Sequence, residues 1–366
     1  MKKYIPIIRK VMGADFANVK STVNLFKNGT LLISSPFHRI RINTGEKFKT
    51  VALDYNTLQR FLTFFDLKDI KFAKTYALFA KEGFKGMIPF SDIEKEDKDK
   101  FLTEHGEKFE DEFNIQIPLS YRKAYERGSS IFTGTGSGAI KMASVSVGEP
   151  SSPAKNLLIS DITSGLYFYD MKEVSPFEDM GTIELTKDVI YPEELTCSIL
   201  NLENGFIIMR VQDEKFYAIK GLGYKTECTP QLHKFVETID CYVKNILKGN
   251  FDDVIFNFRF KSLAQVEAAF ELVPAELAQF DGLNLYLKDA TSKVQIPLVQ
   301  HQEEGIPLLV KWENSKAKLF SCNFRKYISA LLREDTTPGD VSVYGFDKVV
   351  VVLNPKVREA FVEGIF

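Results

Sequence analysis

The chain lacks the residue patterns that mark a metal centre or a disulfide framework. It has four cysteines in 366 residues. Cys197, Cys228, Cys241 and Cys322 are scattered and form no CxxC pair, so neither a zinc site nor a disulfide scaffold is expected. The four histidines, His38, His105, His233 and His301, are equally isolated, and no cofactor or metal is expected. An excess of one charge is also lacking: 47 Lys and Arg face 49 Asp and Glu, for a net charge of −2. A protein that grips nucleic acid over a broad face is usually basic. Any nucleic-acid contact here must therefore come from a local concentration of Lys and Arg. No apolar run approaches the ~20 residues of a membrane span. The N-terminal apolar run is too short for a signal peptide and soon reaches Arg9 and Lys10. A reduced, cytoplasmic protein is expected. Catalytic signatures such as GxSxG and HExxH are missing, and no acidic pair stands out. The loop Gly134–Gly138 follows a predicted helix and precedes a predicted strand. No Gly-Lys-Ser/Thr completes it, so it reads as a connector rather than a phosphate loop.

What is present is a pattern that recurs three times. A short helix is followed by strands with a tight turn, a second short helix and a closing hairpin. The second helices are read at Asp54–Asp66, Tyr191–Asn201 and Asn323–Asp335. A β-rich segment follows each, starting at Asp69, Gly205 and Gly339. The period of roughly 130 residues is too long for a solenoid and reads as three similar domains in tandem. Their boundaries are placed at 1–112, 113–247 and 248–366. Aromatics make up 13%, with 31 Phe and 14 Tyr, which favours sheet-rich cores over a base-stacking platform. The predicted class is α+β: each domain has antiparallel sheets and two short helices.

Local signals place the elements. Pro6 suits the first turn of a helix ending at Met12. Asn28–Gly29 marks a hairpin, and Glu82–Gly83 marks another. Asp54 and Ser120 are read as helix caps, as are Ser262, with Gln265 completing its box, and Asn323. The charged run Asp92–Glu112 reads as a solvated linker. Residues 231–250 read as a partly helical connector. The closing strand is placed at KVVVVLN, with KVREAFVEGIF as a tail beyond it.

Basic side chains lie on the polar sides of the predicted short helices: Arg9, Lys10, Arg60, Arg122, Lys123, Arg127, Arg325, Lys326 and Arg333. Two readings stand side by side. They form ordinary solvated faces, or they line a shared concave surface with positive charge. The first helix of the third unit departs from the pattern, because Glu267 and Glu271 make it acidic.

In the order of its elements the whole chain resembles a sliding clamp of the bacterial beta-clamp type, the processivity factor of DNA replication. The local resemblance is carried by NLFKNGTLLISSPFHRIRI, LLISDITSGLYFYD and DKVVVVLNP. The resemblance implies a head-to-tail homodimer of six domains, a ring with helices lining the hole and sheets outside. Its implied partners are double-stranded DNA held topologically, a replicative DNA polymerase and a clamp loader. Phosphate contacts in such a ring should be few and non-specific, which makes the nine basic residues above the DNA-facing candidates. By position, Gly165, Leu166, Tyr167, Val352, Leu353 and Pro355 match the family's partner-peptide pocket. The heavy Lys, Phe and Asn usage points to a divergent, bacteriophage-encoded clamp in a bacterial cell. Two other classes remain open: a structural or assembly protein of duplicated β-rich domains, and a divergent nucleic-acid-processing enzyme.

Overall fold

The computed structural model describes residues 2–12, 22–34, 38–93, 115–132, 139–145, 156–160, 164–171, 182–186, 195–201, 206–226, 229–275, 277–299, 318–321, 324–332 and 337–364. Helix α1 spans Ile5–Met12. Strands β1 (Thr22–Leu25) and β2 (Thr30–Ser34) form the hairpin that Asn28–Gly29 predicts, and the Thr30 amide donates to Asn28 Oδ1 at 3.0 Å. β3 (His38–Asn43) and β4 (Val51–Asp54) follow. Asp54 then caps α2 (Tyr55–Phe61), accepting from the Thr57 amide at 2.7 Å. β5 (Ile70–Phe72), β6 (Tyr76–Lys81) and β7 (Phe84–Pro89) form a separate three-stranded sheet. The turn between β6 and β7 needs two positive φ angles, 49° at Glu82 and 86° at Gly83, and Gly83 meets that need at low cost. In β7, a Cβ at Gly86 would overlap the Phe61 ring, so glycine lets α2 settle onto the strand.

β8 (Ile115–Gln116) leads into α3 (Leu119–Phe132). Ser120 therefore sits inside the helix and is not its cap, and the helix continues beyond the expected Gly128. Next come β9 (Ala139–Val145), β10 (Asn156–Ser160), β11 (Ser164–Phe168) and β12 (Thr182–Thr186). The expected helix Tyr191–Asn201 is corrected in its second half, where Thr196–Asn201 is strand β13. The reason is period two. Cys197 and Ile199 point to the core while β13 pairs along its length with β14 (Phe206–Gln212). β15 (Phe216–Thr226) closes that hairpin. The connector is then wholly helical: α4 spans Pro230–Leu247, capped by Thr229, with proline in its first turn.

β16 (Phe256–Phe260) precedes α5 (Leu263–Leu272), whose Ser262 cap accepts from the Gln265 amide at 3.3 Å. β17 (Leu277–Phe280), absent from the sequence reading, is followed by β18 (Asn284–Lys288), β19 (Lys293–Val299) and β20 (Lys318–Ser321). α6 (Phe324–Leu332), β21 (Ser342–Gly345), β22 (Val349–Asn354) and β23 (Glu359–Gly364) complete the chain. The expected tail is thus corrected: most of it is a strand. Gly134–Gly138, Asn323 and most of the run Asp92–Glu112 lie outside the described residues.

The chain divides into two compact units, residues 1–126 with 188–225 and residues 127–187 with 226–366. In the first, antiparallel strands run β4–β1–β2–β3–β15–β14–β13–β8. One face of this sheet carries Ile40, Ile42, Phe216, Ala218 and Val211, all buried, and Tyr4, at the end of the 3-10 turn that leads into α1, stacks on Phe216 at 5.3 Å. In the second unit the antiparallel order is β12–β9–β10–β11–β23–β22–β21–β16–β19–β18–β17–β20. β23 lies at the middle of this sheet, with β11 on one side and β22 on the other. Alternate residues face opposite layers. Phe361 meets Tyr327 of α6 at 5.5 Å and Phe132 at 6.4 Å. On the other face, Ala360 and Val362 join Tyr167, Val351 and Leu353 beneath Val236, Ile239 and Val243 of α4.

Candidate nucleic-acid and partner interface

The basic residues singled out in the sequence divide into two physical groups. Arg60 on α2, Lys123 on α3 and Arg325 on α6 are exposed, and Lys326 is half-buried. The Arg325 guanidinium also lies 5.8 Å from the Phe270 ring, so its stem is steered by packing while its charge stays at the surface. Arg9 and Lys10 lie on α1, and Arg333 falls outside the described residues.

Arg122 and Arg127 belong to the second group, and their expected exposure is corrected. Arg122 is buried, at 9% exposure. Its guanidinium donates to the Leu195 carbonyl at 2.7 Å and contacts Cys197 Sγ at 3.4 Å, tying α3 to β13 within the first unit. Burial pushes the Cys197 thiol up to about 11, with the Arg122 charge pulling it back. Arg127 Nε donates to Glu359 Oε2 at 2.6 Å, and both side chains are about nine-tenths buried. The Tyr327 hydroxyl donates to the same Glu359 oxygen at 3.4 Å, and burial raises the Tyr327 pKa well above its ordinary value. These two arginines therefore hold elements together. A charge that already makes buried hydrogen bonds is costly to withdraw, so neither is available to phosphate. Sequence alone could not separate the groups, because both lie on the same short helix as Lys123.

The six expected pocket residues are brought together, but not as a groove. Tyr167 and Leu353 flank Ala360 on adjacent strands, and one rung along Leu166 and Val352 flank Phe361. The intervening strand is β23, the expected tail. Leu166, Tyr167, Val352 and Leu353 are at most 2% exposed, Gly165 is buried and Pro355 alone is exposed. An open groove at these positions is thus corrected: α4 closes one face, and Phe132 with α6 closes the other. A polar clasp holds α4 down. The Tyr167 hydroxyl donates to Asp240 Oδ1 at 2.8 Å, and Lys244 Nζ reaches Asp240 Oδ2 at 2.7 Å. Burial and then the Asp240 charge raise the Tyr167 pKa, so the hydroxyl keeps its proton and remains a donor. The signal for this closure was in the sequence: Val236, Ile239, Val243 and Ile246 recur at helical spacing.

Other surface features are apolar. Phe84 and Met87 on β7 are 75% and 60% exposed; Leu272 and Leu277 are 72% and 42% exposed. Among the described residues no group of three or more His, Cys, Asp and Glu could hold a metal ion, and no helix is long and apolar enough to cross a membrane.

No protein-family model matches the chain, and no curated protein matches it by sequence. Its structure is nevertheless similar over its whole length to solved bacterial proteins. A putative DNA polymerase III beta subunit from Eubacterium rectale matches with a TM-score of 0.60 and 14% identity, over 98% of this chain and 95% of that one. The beta subunit of the DNA polymerase of Streptococcus pyogenes gives 0.61 at 8% identity, over 100% and 98%. The Helicobacter pylori beta clamp bound to a DNA ligase peptide gives 0.57 at 10% identity, also over 100% and 98%. The chain has the beta-clamp fold.

Proposed function

We propose that this chain is a DNA sliding clamp: two copies close head to tail into a ring around duplex DNA and tether a replicative DNA polymerase, after opening by a clamp loader. It acts as a tether rather than an enzyme, built from three domains at 1–112, 113–247 and 248–366, in the cytoplasm of a bacterial cell and of bacteriophage origin. The observation that carries this reading is a joint that occurs twice. β3, the second strand of the hairpin β2–β3, pairs antiparallel with β15, the last strand of the next repeat. β11, the second strand of the hairpin β10–β11, pairs in the same way with β23, the last strand of the repeat after that.

The same rule leaves two strands over. β19 is the second strand of the hairpin β18–β19, and its residues 293–297 pair only with β18 among the described residues. β7 is the last strand of the first repeat and pairs only with β6 among them. An unpaired edge is a template for another chain. Joining β19 of one copy to β7 of a second applies the same joint once more, and a head-to-tail contact that closes gives a ring. The exposed Phe84 and Met87 beside one edge, and Leu272 and Leu277 in the repeat that carries the other, supply apolar surface for such a contact. Arg60, Lys123, Arg325 and Lys326, with Arg9, Lys10 and Arg333, are the proposed phosphate-facing set. The partner is a short peptide with apolar anchors; the Helicobacter clamp is itself bound to a DNA ligase peptide.

Native mass spectrometry and loading onto circular DNA test this reading. The expected species is twice the chain mass, and Phe84→Asp with Met87→Asp should give a folded monomer. Protein loaded on a closed circle should persist in high salt and be lost when the circle is cut. A monomer at high concentration, or tight salt-resistant binding to a short linear duplex, refutes the clamp.

A further inference from the structure

Strands β5–β7 follow α2 in the chain as β21–β23 follow α6. One face of the β5–β7 sheet is turned to α2: Ala77, Phe79 and Ile88 are buried, and Phe79 meets Phe61 of α2 at 5.1 Å and Phe65 beyond it at 5.5 Å. Alternation turns the other residues outward. Register aligns them: Lys71 is opposite Leu78 and Leu78 opposite Met87, with Tyr76 opposite Pro89 on one side and Ala80 opposite Lys85 on the other. Tyr76 is 36% and Met87 60% exposed; Ala80, Pro89 and both lysines are exposed too, and Leu78 is half-buried. An apolar strip therefore runs along the central strand, with a lysine on each flank. The three strands contain no Asp or Glu. Among the described residues no carboxylate forms an ion pair with either lysine. Asp69, just before β5, already accepts from the Asp66 amide at 2.8 Å, and Glu82 sits in the β6–β7 turn.

The third repeat shows what the equivalent face takes. On β21–β23 the face opposite α6 carries Tyr344, Val351, Leu353, Ala360 and Val362, and the amphipathic helix α4 lies on it through Val236, Ile239 and Val243. On β5–β7 the same face is apolar at its centre but open to solvent, and it keeps two unneutralised charges. A contiguous exposed apolar surface marks an interaction site. We infer that the outer face of β5–β7 docks an amphipathic helix of a partner protein, its apolar stripe on Tyr76, Leu78 and Met87 and its carboxylates on Lys71 and Lys85. The dimensions agree. Lys71 and Lys85 lie on strands roughly 10 Å apart, about the width of a helix with its side chains, so a helix seated along β6 brings one flank to each lysine. This face is turned away from α2 and its Arg60, and so is separate from the proposed phosphate-facing set. A second copy joined at the β7 edge would extend the sheet and leave its outer face open.

Fluorescence anisotropy on the full-length protein tests this. The probe is a labelled synthetic peptide as long as α4, 18 residues, with leucines at helical spacing and glutamates on both sides of the leucine stripe. It should bind with a dissociation constant below about 100 µM at low salt. Lys71→Glu with Lys85→Glu should weaken it at least about tenfold, and a second peptide with lysines in place of the glutamates should then bind that variant more tightly than the unaltered protein. Tyr76→Ser with Met87→Ser should also weaken the glutamate peptide, with the thermal midpoint unchanged because both side chains are exposed. Weaker binding to the unaltered protein overturns the inference, as does binding that the lysine reversals leave intact or that the lysine peptide fails to restore. If the reversals instead weaken binding of a short DNA duplex and not of the peptide, the face is a phosphate surface and the inference falls. It falls too if Lys71→Glu, on the strand farthest from the β7 edge, lowers the native mass, because a second copy then occupies the face.

Discussion

Removing the Phe361 ring tests the placement of β23 most directly. Phe361 is fully buried and stacks on Tyr327 and Phe132, while its neighbours Ala360 and Val362 lie under α4. Phe361→Ala deletes a ring with covered layers on both sides of its strand, so little collapse can fill the space. Such a change costs about 3–5 kcal/mol. Domains are stable by roughly 5–15 kcal/mol, so the variant should lose a fifth or more of the stability of the second unit. Ending the chain at Arg358 should do more. It deletes the strand that pairs with β11 from Ser164 to Phe168 and with β22 from Val349 to Asn354. Two edges are then exposed in the middle of a sheet. The assay is urea unfolding followed by far-ultraviolet circular dichroism. Amide exchange on β11 and β22 would assign the transition to the second unit, since a chain of two compact units need not unfold in one step. If Phe361→Ala moves the free energy by less than about 1 kcal/mol, or the shortened chain unfolds at the original midpoint, the segment is a dispensable tail and the reasoning fails.

Two further outcomes separate structural from surface charge. Arg122→Ala should destabilise by about 1–3 kcal/mol through its lost buried hydrogen bonds, whereas Lys123→Ala, one residue away, should stay within about 0.5 kcal/mol; thermal melts of the two variants compare them directly. Asp213 provides a pH response. Burial pushes its carboxyl up, but the amides of Lys215 and Phe216 and the Tyr4 hydroxyl outweigh it, so the pKa is lowered. A lowered pKa contributes stability that is complete above the ordinary carboxylate value near about 4 and lost as pH falls through the folded value. The protection factors of the α1 amides, corrected for the slower intrinsic exchange in acid, should therefore fall as pH drops through the carboxylate range, and Asp213→Asn should lower them at neutral pH and flatten that dependence.

The sequence by itself determined the α+β class and most hairpins. Those rest on local chemistry: Asn28–Gly29 and Glu82–Gly83 need little from the rest of the chain, and Asp54 caps its helix three residues on. It also contained α4, through apolar residues at helical spacing. It could not determine which alternating segments find partners. Thr196–Asn201 and Glu359–Gly364 are strands because β14, β11 and β22 lie beside them, and pairing over that sequence distance has no local signature. The same limit governs the site. Arg122, Lys123 and Arg127 share one helix and one charge, and only the tertiary structure decides that Lys123 meets solvent while Leu195 and Glu359 claim its neighbours. Burial is a property of what packs against a residue, which is why five of the six residues that read as a pocket became the centre of a sheet while Pro355 stayed exposed in the turn after β22.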